Sequence, residues 1–306
     1  MKKVSCVLML GLLVFNGPFS YGAAQPVKVV ATLSTFADLA KLIGGEYVTI
    51  STIAAANFNP HFIEPKPSDV LKVKRADVFI HAGLDFELWR GPLLDAAGNT
   101  WVFPGGSGEL DLSTGVALLE VPTVPLSRLA GDIHLYGNPH YWLDPNNVII
   151  MAKAIAAKFS QLDPAHAATF DVRMRAFTRQ LYARMVHWQQ QLGPFHGQEL
   201  VGDHRAWPYL MHFLGLKMEA HLEPKPGIPP SPKHIAWVEQ YIMKQHIPVI
   251  VRAAYFPAQT PQAVSRRTGA TLVVLCQNVG ELPACADYLA MLDYDVTQLV
   301  TALRHG

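Results

Sequence analysis

Three histidines occupy similar sequence settings and together could bind a metal ion. His61 lies in Asn-Pro-His-Phe-Ile-Glu-Pro, His140 in Gly-Asn-Pro-His-Tyr-Trp-Leu-Asp-Pro, and His204 in Gly-Asp-His-Arg-Ala-Trp. Each proline fixes its own φ near about −65° and disfavours helical backbone in the residue before it, so the imidazoles next to proline are held on restrained backbone. A neutral imidazole with a fixed orientation is a good metal ligand.

The elements that would position these histidines alternate between strand and helix along the chain. Short β-branched runs are followed by segments of helical periodicity, which indicates an α/β fold with parallel sheets covered by helices. The predicted strands are 27–32, 47–54, 78–80, 100–103, 199–202, 217–221, 249–253 and 271–275. The predicted helices are 34–43, 66–76, 86–94, 163–192, 207–214, 234–244, 261–268 and 288–303.

The predicted helix 163–192 is the longest element, and its apolar residues recur at spacings of three and four. At 1.5 Å per residue it is roughly 40 Å long, so it could bridge two lobes or pack along one sheet. Residues 104–136 are rich in Gly, Pro and Ser and predict a long loop. His134 in this loop could support the metal ligands, although we favour a solvated histidine.

The predicted strand ends explain how the three histidines could meet. Ligands of open α/β sheets bind beyond the carboxyl ends of the strands. His61 and His204 each follow a predicted strand, one in each half of the chain, so His61, His140 and His204 can converge only across a cleft between two lobes. Three imidazoles are the ligand set expected for zinc, whereas harder ions such as manganese favour more carboxylate.

The bulk composition excludes some partners and predicts export. The 306 residues carry a formal net charge of +1 without a basic stripe, which argues against a nucleic-acid partner. Lys2 and Lys3 precede an apolar run over 4–15, and small residues follow at 22–24. This pattern is typical of a cleaved signal peptide spanning 1–24, since the apolar run is shorter than the roughly 20 residues of a membrane span. We therefore expect a soluble periplasmic protein.

Two cysteines remain after the predicted cleavage. Cys276 and Cys285 are nine positions apart. In an oxidising compartment they could form a disulfide, and the alternative is two buried thiols. Cys6 lies within the apolar run of the signal peptide, too near the start to be a lipid-anchor cysteine.

Four segments carry a resemblance to a known family. The segments 59–69, 83–89, 138–145 and 287–293 resemble the metal-specific periplasmic solute-binding proteins of ABC transporters, the zinc/manganese-uptake family. The likeness covers nearly the whole mature chain. It implies two Rossmann-like lobes joined by one long linking helix, with the metal in the cleft between them.

The resemblance also assigns boundaries and ligands. It implies an N-terminal lobe over 25–160, a linking helix over 161–193 and a C-terminal lobe over 194–306. The family's metal ligands carry over onto His61, His140 and His204. The histidine at the third ligand position, His204, resembles the residue found there in the zinc-preferring members of the family. The implied partner is a membrane permease of an ABC importer, and we expect a monomer.

The chain departs from the family at the fourth ligand. Family members often supply an Asp after the last strand, where this sequence has Leu-Cys-Gln-Asn-Val-Gly. The candidates for the fourth ligand are therefore Gln277, Asn278, Glu281, Glu223 or a water molecule. For Glu223 we favour a structural role, as a capping residue or a surface carboxylate, over metal binding. The family's histidine-rich loop is also missing.

A secreted zinc hydrolase is the main alternative function. It would use the three histidines and an activated water, with Glu64 or Asp203 as general base. The sequence has no His-Glu-x-x-His helix, so we expect a binding protein for Zn²⁺, with Mn²⁺ less favoured, rather than an enzyme. A surface adhesin of the same fold has little support without a lipid-anchor cysteine.

Overall fold

Two four-stranded parallel sheets form the framework of the protein. The computed structural model describes residues 25–123, 135–225 and 227–305, so the predicted signal peptide and His134 lie outside the described residues. The strands are β1 (Val27–Ala31), β2 (Val48–Thr52), β3 (Val78–His81), β4 (Glu109–Asp111), β5 (Glu199–Gly202), β6 (Lys217–His221), β7 (Val249–Ala253) and β8 (Thr271–Leu275). Their order is β2-β1-β3-β4 in the first sheet and β6-β5-β7-β8 in the second, with every neighbouring pair parallel.

Helices connect the strands and cover both sheets. They are α1 (Ser34–Gly44), α2 (Pro67–Lys74), α3 (Arg90–Ala97), α4 (Pro145–Leu162), α5 (Ala167–Leu192), α6 (Pro208–Leu214), α7 (Pro232–Gln245), α8 (Gln259–Thr268) and α9 (Tyr288–His305). None of the helices in the described ranges has both the length and the apolar character to cross a membrane.

Each sheet has helices on both faces, which explains why its strands are buried. Residues of α2 and α3 pack with Val30 and Phe79 on the outer face of the first sheet. Residues of α7 pack with Val201 and Ile250 on the outer face of the second. The inner faces of both sheets share one continuous core that includes α1, α4, α5, α6 and α9. The two lobes therefore meet through a common apolar layer.

Helix α5 links the two lobes. Its buried stripe runs through Phe170, Phe177, Leu181, Trp188 and Leu192, as the apolar spacing predicts. The helix contacts α1 and α4 of the first lobe and α6 and α9 of the second, so the bridging alternative is correct. Because its apolar side chains pack along both halves, α5 resists bending between them.

One local prediction is wrong, and one helix was missed. Residues 100–103 do not form a strand, since Thr100–Val102 is a single 3₁₀ turn. The Trp101 indole donates to the Asp77 carbonyl, and Pro104 follows the turn, so the chain pairs with β3 only at β4.

The 18-residue helix α4 was not predicted at all. It begins at Pro145, where the Asp144 side chain accepts a hydrogen bond from Asn146 N and caps the helix.

The two cysteines are joined in a disulfide, which settles the alternative left open by the sequence. The bond closes the loop after β8. A closed loop of about ten residues restricts the unfolded chain by about 2–3 kcal/mol. We expect the Cys276→Ser/Cys285→Ser variant to lose about that much free energy of unfolding, measured by urea denaturation. Equal stability of variant and wild type would contradict a structural role for the bond.

The packing of α5 also predicts a small conformational response. A stiff helix between the lobes permits modest rocking rather than a large hinge rotation. We therefore expect little change in the radius of gyration when metal is added, measured by solution X-ray scattering. A decrease of several ångströms would show that the lobes close as rigid bodies.

Candidate metal centre

The imidazoles of His61, His140 and His204 converge in the cleft between the lobes. One ring nitrogen from each lies within 4.8 Å of the others. The Nε2 atoms of His61 and His140 are 3.3 Å apart, and the three ring centroids are separated by 5.3, 5.7 and 5.8 Å. All three side chains are buried. The structure thus brings together the three histidines that the sequence singled out.

His61 is positioned by a short turn beyond the end of β2. Residues Pro60–Phe62 form a 3₁₀ turn, and the Asn59 side chain accepts a hydrogen bond from His61 N at 3.1 Å. The Trp89 indole donates to the Pro60 carbonyl at 2.9 Å, which fixes the turn against the first lobe. The ring of Phe86 packs against the imidazole, with centroids 4.4 Å apart.

His140 is oriented by Asn138. The Asn138 Oδ1 atom accepts a hydrogen bond from His140 N at 3.0 Å and lies 3.0 Å from His140 Nδ1. The amide orientation is fixed, because Asn138 Nδ2 donates to both Glu120 Oε2 and the Arg205 carbonyl. An oxygen beside Nδ1 requires the proton to be on Nδ1, which places the Nε2 lone pair toward the centre.

His204 is oriented by a carboxylate. It follows β5 by two residues, and its Nδ1 donates to Glu223 Oε2. The other Glu223 oxygen accepts from Gly227 N at 2.8 Å. Among the described residues His204 Nε2 has no hydrogen-bond partner, although it is fully buried. A buried nitrogen whose lone pair faces two other imidazoles fits a metal ligand, and a carboxylate behind the ring is the usual support for such a histidine.

The candidates for the fourth ligand have other contacts. The two oxygens of Glu223 contact His204 Nδ1 and Gly227 N, so this carboxylate lies behind the histidine ring. Gln277 Oε1 accepts from Tyr255 OH at 2.6 Å. Asn278 Nδ2 donates to Glu281 Oε1 at 3.2 Å. Among the described His, Cys, Asp and Glu side chains, the group that could hold a metal contains neither Glu281 nor Glu223.

Two buried carboxyl groups have raised pKa values, Asp203 next to His204 and Glu281 in the segment after β8. Burial raises the pKa of Asp203 to about 7, against the lowering effect of His204 and two backbone N–H donors. Burial also raises the pKa of Glu281 to about 8. Both Asp203 oxygens accept backbone hydrogen bonds, from His204 N and Ala253 N, and Glu64 is exposed. Of the two carboxyl groups proposed as a general base, Asp203 therefore already accepts a backbone hydrogen bond at each oxygen.

The contact between Glu223 and His204 leads to a prediction. Removing a carboxylate that orients a metal-bound histidine typically lowers metal affinity about 10–100-fold. We expect Glu223→Gln to weaken zinc binding by at least about tenfold, because the neutral amide stabilises the metal-bound imidazole less. Competition against a zinc-binding dye measures this. Glu219→Gln is the matched control, since Glu219 lines the same cavity on β6 but is exposed. Equal affinities of the two variants would contradict the role of Glu223.

The sequence contained a signal for Asn138, the residue that orients His140, which the prediction missed. Both Asn59 and Asn138 stand two residues before a histidine in the repeated Asn-Pro-His motif, and both side chains accept from the histidine backbone N–H. Asn often forms such local turns. The repeat therefore could have identified Asn138. No local pattern indicates Phe256, whose ring stacks on His204 with centroids 5.1 Å apart.

Comparison with protein families gives one match over most of the chain. The sequence model of ZnuA, described as zinc-uptake complex component A, periplasmic, matches residues 29–302.

Individual relatives and a solved structure agree with this match. The iron-binding protein YfeA of Yersinia pestis is 26% identical over 272 residues, covering 87% of this chain and 81% of YfeA. The metal ABC transporter substrate-binding lipoprotein SloC of Streptococcus mutans is 24% identical and covers 99% of both chains. A crystal structure of ZnuA superimposes with a TM-score of 0.77 at 21% identity, covering 90% of this chain and 99% of that one, which shows the shared fold.

Proposed function

Because the chain belongs to the ZnuA family of periplasmic zinc-uptake components, we propose that it captures a zinc ion and delivers it to the permease of an ABC importer. The proposed ligands are His61, His140 and His204. The observation that supports this best is the convergence of three buried imidazoles from both lobes. All three belong to one chain, so a monomer would suffice for binding.

The chemistry of the three imidazoles favours zinc. Nitrogen ligands suit zinc, whereas manganese favours carboxylate and other oxygen ligands. In the group formed by the described residues, no carboxylate accompanies the three imidazoles. YfeA is described as iron-binding and AdcA of Streptococcus pneumoniae as zinc-binding, so the metal differs among the relatives. We propose an oxygen from Gln277 or from water in the fourth position.

Metal titration tests this proposal. We expect isothermal titration calorimetry to show one zinc ion per chain and manganese affinity at least about a hundredfold weaker. Equal or tighter manganese binding would overturn the assignment of zinc. No binding of either ion would overturn the proposed function itself.

A parallel activity screen separates capture from catalysis. The zinc-loaded protein should hydrolyse ester, amide and phosphate substrates no faster than the His204→Ala variant does. Family membership supports binding and gives no support to the hydrolase alternative.

A further inference from the structure

An ion pair joins the two lobes beside the metal centre. Glu120 precedes α5 and belongs to the first lobe, whereas Arg205 follows β5 in the second. Arg205 Nε lies 3.0 Å from both Glu120 oxygens, and the guanidinium makes a further bond of 2.8 Å to Oε1. The Glu120 side chain is 28% exposed and that of Arg205 55%. Paired Arg–carboxylate contacts of this kind fix geometry as well as charge.

Asn138 connects this ion pair to two of the proposed metal ligands. Its Nδ2 donates to Glu120 Oε2 and to the Arg205 carbonyl, at 2.9 Å each. Its Oδ1 orients His140, and Arg205 is the residue next to His204. One amide therefore contacts the ion pair and also determines how His140 stands relative to His204.

The backbone around Glu120 is fastened to the second lobe by separate bonds. Leu119 N donates to the Tyr209 hydroxyl at 3.0 Å, and that hydroxyl donates to the Asn138 carbonyl at 2.9 Å. Asn138 N donates to the Leu119 carbonyl at 2.9 Å. Gly137 has φ +124°, and a Cβ there would lie 3.1 Å from the Leu119 carbonyl oxygen, so the two segments need glycine to approach this closely.

The position of these residues indicates what they control. Glu120, Asn138 and Arg205 line a cavity of about 420 Å³ that also reaches His204 and Glu223. Separating Glu120 from Arg205 would widen the cleft at this cavity and move His140 away from His204. We propose that Glu120, Arg205 and Asn138 form an interlobe latch, whose opening sets the rate at which the bound metal leaves. The latch rests on the proposed function for its ligand, and its residues act by positioning the histidines.

Zinc release measures the latch directly. Stopped-flow mixing of the zinc-loaded protein with an excess of chelator gives the dissociation rate. We expect Glu120→Gln and Arg205→Gln each to release zinc about fivefold faster, with association rates within about twofold of wild type. Because both variants break the same contact, the double variant should release zinc no faster than either single one.

A second ion pair, which lies entirely within the C-terminal lobe, provides the matched control. Arg267 donates to Glu239 at 2.6 Å between α8 and α7, away from the cleft. Arg267→Gln should leave zinc release unchanged. Wild-type release from Arg205→Gln, or single-variant effects that multiply in the double variant, would overturn the latch.

A measurement without metal separates the latch from the proposed function. Hydrogen exchange in the metal-free protein should be faster at the Leu119 and Asn138 amides in Arg205→Gln than in wild type, because their own bonds, to Tyr209 and to Leu119, open to water more often when the lobes separate at the ion pair. Unchanged exchange at these amides would overturn the latch. If the wild-type protein binds no zinc, the proposed function fails, whereas exchange at the two amides still decides whether the latch exists.

Discussion

Replacing any one of His61, His140 or His204 with alanine is expected to weaken zinc binding by at least about a hundredfold, about 2.7 kcal/mol. Loss of a group that only supports a ligand already costs about 10–100-fold, and loss of the ligand itself removes a coordination bond. The three rings come from segments beyond β2, before α4 and beyond β5, and among the described residues they form the group that could hold a metal ion. Calorimetry with a competing chelator measures the affinities.

His187→Ala is the matched control for these variants. His187 lies on α5 and is exposed, so its removal should leave zinc affinity unchanged. Circular dichroism of each variant in the metal-free state checks that the fold is retained. Wild-type affinity in any two of the three ligand variants would show that the metal is bound elsewhere.

Zinc affinity is expected to fall by at least about a hundredfold between about pH 7.5 and pH 5. The ligands must be neutral imidazoles, and an imidazole ordinarily takes up a proton near pH 6.5, so protons compete with the metal for the same nitrogens. Lowering the pH therefore weakens binding, and each competing proton contributes up to about tenfold per pH unit below its pKa.

A carboxyl group next to His204 adds to this dependence near neutral pH. Burial raises the pKa of Asp203 to about 7. A bound dication favours the charged form of Asp203, so zinc binding near pH 7 should release a proton from it as well. Calorimetry in buffers of different ionisation enthalpy measures the released protons. Constant affinity from pH 7.5 to pH 5, with the metal-free protein folded throughout, would contradict a site made of three imidazoles.

The fold was largely predictable because its signals are local. Seven of the eight described strands stand where strands were predicted, five of them at short β-branched runs, and α5 lies within the predicted 163–192 helix. The failure at 100–103 has a physical reason, since Trp101 is held by the Asp77 carbonyl rather than by a neighbouring strand. Helix α4 was missed although it begins with an Asp-Pro pair, Asp144-Pro145, like the one at the start of the predicted helix 163–192.

The three imidazole ligands of the centre were predictable, whereas the side chains that orient them were not. His61, His140 and His204 were identifiable because proline and strand ends surround them. The roles of Glu223 and Asn138 depend on contacts 19 and 67 residues away along the chain, to His204 and Arg205. The first contact exists only after the C-terminal lobe has folded, and the second only after both lobes have folded. The same reason applies to the fourth ligand, since residues 277–281 carry no local feature that fixes where their side chains point.

A crystal structure of the zinc-loaded protein, with diffraction recorded on both sides of the zinc absorption edge, tests the central claim most directly. We predict one anomalous peak per chain, about 2.0–2.1 Å from one ring nitrogen of each of His61, His140 and His204. His204 should bind through Nε2, with Nδ1 still donating to Glu223. A zinc peak held by other side chains, with the three imidazoles uncoordinated, would contradict the account.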